Sequence, residues 1–99
     1  VLAKIVWTHE AEQWLLKIHD YIAQDKPATA LKVVESIYAR AQILEHMPRL
    51  GQSYRTHSGR DTRILLWGHY RIVYLQTVQD EIHILGVFHG AMEIDRYLK

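Results

Sequence analysis

The groups in this sequence best suited to holding or reacting with another molecule are its arginines and histidines. Five arginines, Arg49, Arg55, Arg60, Arg63 and Arg71, fall between residues 49 and 71 with a single acid, Asp61. That segment carries +4, while residues 1–48 carry five basic against six acidic groups and residues 72–99 carry two against four. Guanidinium forks match phosphate and carboxylate better than ammonium points do. The alternative reading of the segment is a solvated strand edge. Histidine is the natural acid or base near neutral pH, and the chain has seven. His69 and His89 fall at strand ends, His57 in a preceding polar stretch, and His9, His19, His46 and His83 on helix or strand surfaces. No His-Glu-x-x-His string occurs and no cysteine is present, so no metal site and no cofactor are expected.

The elements that position these groups follow from periodicity. Residues 2–7 alternate as a strand. Thr8 is placed as an N-cap with Glu10 and Glu12 in the first turn. Ala11, Trp14, Leu15, Ile18 and Ile22 then repeat at helical spacing, giving a helix over about 9–24. Pro27 opens a second helix, about 27–46, with Ala30, Val33, Val34, Ile37, Ala41 and Leu44 as its buried stripe, and Pro48 ends it. So short a connector makes the helices an antiparallel hairpin. Gly51–Gly59 reads as a loop. Strands follow over about 62–67, 69–77 and 81–88, broken at Gly68-His69 and Gln79-Asp80, which forces an antiparallel meander. The tail after His89-Gly90 makes one short helix.

The chain is therefore read as one α+β domain, residues 1–99, with a helical hairpin packed on an antiparallel sheet of about four strands (β-α-α-β-β-β). Its 48% apolar content suits a core of that size. The lack of cysteine fits a reducing cytosol. No apolar run approaches a bilayer span, and no basic-then-apolar signal pattern opens the chain. Trp7, Trp14 and Trp67 are read as core residues. Leu16, Leu31, Tyr38 and Ile43 lie off the main stripes, and together they could form a surface for a partner helix or strand.

Four strings carry a family resemblance: Val6 to Ala30 with its Tyr21-Ile22-Ala23 and Asp25-Lys26-Pro27; Met47-Pro48-Arg49-Leu50-Gly51; His69-Tyr70-Arg71-Ile72-Val73-Tyr74; and Ile84-Leu85-Gly86-Val87-Phe88-His89-Gly90. Taken in order, they resemble the RelE/ParE superfamily of type II toxins, also called plasmid stabilisation proteins. The resemblance implies a bacterial cytoplasmic toxin neutralised by a cognate antitoxin, in a toxin–antitoxin hetero-oligomer. It implies one of two targets. RelE-like members cut messenger RNA on the ribosome; ParE-like members are not nucleases and poison DNA gyrase.

For a RelE-like nuclease the resemblance places Arg63, His69, Arg71, His89 and Tyr97 in the catalytic set. RNA cleavage needs several cations converging on one phosphate together with a general acid or base. Leu65 and Leu66 stand where a second cation of that strand would be, and Gly90-Ala91 where many nucleases carry a basic residue. This favours the ParE-like branch, with Arg55, Arg60, Arg63 and Arg71 as target-binding residues and Leu16, Leu31, Tyr38 and Ile43 as antitoxin-binding residues. The alternatives are a ribosome-dependent messenger RNA endoribonuclease and a decayed toxin that serves only as an antitoxin-binding module. For Arg71 the competing reading is a structural arginine pairing across the sheet; for His89 it is a turn-stabilising residue.

Overall fold

The computed structural model describes residues 2–57, 60–77, 79–90, 92 and 94–97; the side chains of residues 55–57 and 95 lie outside that description. The elements are β1 (Lys4–Trp7), α1 (His9–Ala23), α2 (Pro27–Gln42), a 3-10 turn (Ile43–Glu45), β2 (Gln52–His57), β3 (Arg60–Trp67), β4 (Tyr70–Gln76), β5 (Glu81–His89) and a closing 3-10 turn (Ile94–Arg96).

The helix starts are set by local chemistry. The Thr8 hydroxyl accepts from the Ala11 amide at 3.2 Å and donates to the Ile84 carbonyl at 2.6 Å. One side chain thus caps α1 and ties its first turn to β5. Pro27 stands in the first turn of α2, where its missing N–H costs nothing. The second helix is shorter than its periodicity predicts, because the chain tightens into a 3-10 turn after Gln42.

The sheet has five strands, in the order β1-β5-β4-β3-β2. The added strand is β2, where the sequence reads as a loop. Gln52, Ser53 and Thr56 offer no apolar alternation because β2 is an edge strand, and polar edges resist unwanted pairing. β1 runs parallel to β5, and the remaining pairs are antiparallel, so the sheet is mixed.

A bulge in β5 decides what faces where. Val73 pairs with Gly86 and Tyr74 with Ile84, leaving Leu85 as the extra residue. The bulge shifts the alternation by one. Ile82, Ile84 and Val87 therefore share one face with Leu65, Ile72 and Tyr74, and pack under Ala11, Leu15, Ile37, Ala41 and Leu44. Phe88 turns to the other face, with Val73 and Ile94.

Trp14 departs from the hairpin core. β1 covers β5 only as far as Ile84, and past that point Trp14 packs edge-on against Phe88, ring centres 4.8 Å apart. Trp67 is also outside the core. At the end of β3 it is 41% exposed, with its indole N–H donating to the Ser36 hydroxyl at 3.1 Å. Gly68 (φ 57°) supplies the left-handed backbone at the first position of the β3–β4 turn, the position that favours glycine in tight hairpins.

Candidate functional site

Arg63 sits on β3 opposite Tyr74, hence on the helix-covered face. Its side chain is buried. Nε donates to Asp61 at 2.7 Å, and Nη1 donates to the carbonyls of Gly51 at 2.7 Å and Arg49 at 3.2 Å. The Tyr74 hydroxyl works on the same loop, donating to the Pro48 carbonyl at 2.8 Å and accepting from the Gly51 amide at 2.9 Å. Burial pushes the Tyr74 phenol above its ordinary pKa, opposed by its Gly51 hydrogen bond and by Arg63. Arg63 and Tyr74 together pin residues 48–51, the turn that launches β2.

Arg71 sits on β4 opposite Leu66 and Phe88, on the other face. Its Nη2 donates to the carbonyls of His89, at 3.4 Å, and of Met92. It thereby holds the segment that follows β5. Beyond it Ile94 is buried on Val73 and Phe88. Tyr97 stacks on Phe88 at 5.6 Å and meets Trp14 edge-on at 4.9 Å. Arg71 is thus placed as a tie for the C-terminal segment, and Tyr97 belongs to an aromatic cluster.

His69 and His89 do come together. Their rings lie 6.3 Å apart and nearly parallel, at the end of the sheet where the Gly90 amide donates to the His69 carbonyl at 2.8 Å. Tyr70 pairs with His89 in register and meets its ring edge-on at 6.0 Å. His89 opens onto a pocket of about 420 Å³ under α1, whose walls include Trp14, Lys17, Tyr21 and Tyr70. Lys17 holds its ammonium 4.7 Å from the centre of the Trp14 ring. Lys17 is not distinguishable in the sequence, where it reads as an ordinary solvated helix lysine; the fold places it on the wall of this pocket with His89.

The remaining predicted residues are dispersed. Arg60 is exposed at the start of β3 opposite His57. The Arg55 side chain lies outside the described residues. Leu16 (52%), Leu31 (54%), Tyr38 (41%) and Ile43 (38%) are all exposed. Tyr38 leans on Trp7, ring centres 4.5 Å apart, and its phenol is pushed up first by burial and then by Glu12. Among the described residues no group of three His, Asp or Glu side chains could hold a metal ion, and no helix is long and apolar enough to cross a membrane.

Two helices on this five-stranded sheet are the α+β fold of RelE/ParE toxins. The toxin–antitoxin structure of the chromosomal ParDE system from P. aeruginosa superposes with a TM-score of 0.70 at 23% identity, covering 89% of this chain and 96% of that one. The RelBE2 toxin–antitoxin complex from Mycobacterium tuberculosis gives 0.59 at 25% identity, covering 90% and 99%. The archaeal RelE-RelB complex from Pyrococcus horikoshii gives 0.60 at 16% identity, covering 94% and 100%. Residues 5–94 match the family model for the "ParE toxin of type II toxin-antitoxin system, parDE", and the chain belongs to that family. No curated protein gives a significant match.

Proposed function

We propose that this toxin acts by docking onto DNA gyrase, not by cutting RNA, and that a cognate antitoxin silences it in the bacterial cytoplasm. The observation that carries the first part is the separation of Arg63 and Arg71. They face opposite sides of the sheet, each with donors committed to main-chain carbonyls. Two such cations do not converge on one phosphate, and charge stabilisation of a cleaving phosphodiester requires convergence. Arg55 and Arg60 on the β2–β3 hairpin are the arginines assigned to the target.

The antitoxin reading is supported by the exposed set Leu16, Leu31 and Tyr38 on the hairpin, and by structural neighbours that are toxin–antitoxin complexes. A disordered antitoxin tail covers such a surface by ordering on it.

The His69–His89 pair favours the second reading, a ribosome-dependent nuclease that uses histidine for proton transfer. Tightly controlled expression separates the two. Gyrase poisoning predicts DNA breaks before any loss of messenger RNA. Messenger RNA cuts that appear first, and vanish in a folded His89→Ala variant, contradict it.

A further inference from the structure

β2 begins to pair with β3 only at Gln52–Ile64, so among the described residues no strand pairs with Leu65, Leu66 and Trp67 on that side. Beside this bare edge lies a hollow of about 400 Å³. Its floor is apolar, from Leu50, Ile64, Leu65 and Leu66, and none of the described residues lining it is acidic. Two arginines line it from opposite sides. Arg40 comes from α2 on the helix face, with its guanidinium over the Trp67 ring at 5.6 Å. Arg71 comes from the other face, beside Leu66. Each keeps a buried Nε without a hydrogen-bond acceptor among the described residues. Buried donors without an acceptor are rare in native structures.

We propose that the edge of β3 at Leu65–Trp67 takes an extended acidic peptide segment, in which two neighbouring carboxylates bind Arg40 and Arg71. A strand added to an edge hydrogen-bonds through its main chain and sends successive side chains to opposite faces. Adjacent acids on such a strand reach one arginine each, which a single small anion on one face does not do. The two arginines thus select for an Asp-Glu type pair within an otherwise β-forming segment. This rests on the reading that a partner protein covers the toxin, and it names the chemistry of one contact.

The test uses the full chain and a capped peptide, Val-Thr-Asp-Glu-Val-Thr-Val, against its Asp-to-Asn, Glu-to-Gln and doubly neutral forms. Tryptophan emission reports binding, since Arg40 rests on Trp67. Each neutral change should weaken binding about tenfold, and the doubly neutral peptide more. Arg40→Glu should lose the acidic peptide and prefer one carrying Lys in place of the acid. Because the peptide series needs no protein variant, it stands even if Arg40→Glu misfolds. Equal behaviour of acidic and neutral peptides, including no binding of either, overturns the proposal. So does competition by succinate at the peptide's own concentration, or self-association of the toxin through this edge. Failure here, with an antitoxin still raising the toxin's stability, would sink the edge contact and spare the partner reading.

Discussion

Arg63 and Arg71 stand on neighbouring strands and point to opposite faces of one sheet. Arg63 is paired with Tyr74 beneath the helices, and Arg71 with Phe88 on the side closed by the C-terminal segment. Each holds a piece of backbone: Arg63 the turn before β2, Arg71 the chain after β5.

The Arg71 tie gives the first prediction. Arg71→Ala removes charged hydrogen bonds to two carbonyls and should lower stability by about 1.5–3 kcal/mol. The loss should concentrate in the C-terminal segment, as faster hydrogen exchange and proteolysis around Ile94. Unchanged protection there would refute the tie.

Tyr74 and Gly51 give the second. Tyr74→Phe leaves the Gly51 amide without its acceptor and should cost about 1–3 kcal/mol. A Cβ added at Gly51 would stand 2.7 Å from the Tyr74 ring and 2.9 Å from the Ile64 carbonyl, so Gly51→Ala must move the backbone and should cost about 1–3 kcal/mol. The phenol also makes stability depend on pH. Its folded pKa is raised above the unfolded value of about 10, so the folded state keeps a proton that the unfolded state releases. The contribution is complete below about pH 10 and is lost as pH rises through the folded pKa. Chemical denaturation of wild type and Tyr74→Phe across that range checks it: the gap between them should narrow.

The third prediction contrasts two residues of α2. Ile37 is wholly buried under the sheet, and Leu31, on the same helix, is 54% exposed. Ile37→Ala should cost about 2–5 kcal/mol. Leu31→Glu should stay within about 0.5 kcal/mol of wild type in the free toxin, yet reduce the stabilisation that the cognate antitoxin confers. Equal stabilisation of Leu31→Glu and wild type, measured by thermal melting with antitoxin, would remove the outer hairpin face from the interface.

Much of the fold was legible because its signals are local. Thr8 as a cap, the helical stripe through Ala11, Leu15 and Ile18, and the break at Gly68-His69 all depend on neighbours in sequence. β2 was not legible, since a polar edge strand such as Gln52-Ser53-Tyr54 lacks the alternation that marks a half-buried one. Nor was the site. The family resemblance groups Arg63, Arg71 and His89 in one catalytic set, but strand parity and the extra residue Leu85 set which of them share a face. A one-residue shift in alternation sends every later side chain to the opposite side, and nothing in Ile84-Leu85-Gly86-Val87 announces it. Tyr97 could not be placed at all without the aromatic faces of Trp14 and Phe88.

The central claim, that this toxin docks and does not cut, is tested most directly with purified components. The free toxin is added to gyrase on relaxed plasmid, and in parallel to ribosomes stalled on a messenger RNA. The account predicts loss of supercoiling, weakened when Arg60 is changed to Glu, and intact messenger RNA. Undisturbed supercoiling, with ribosome-dependent cuts that disappear in folded His89→Ala, would contradict it.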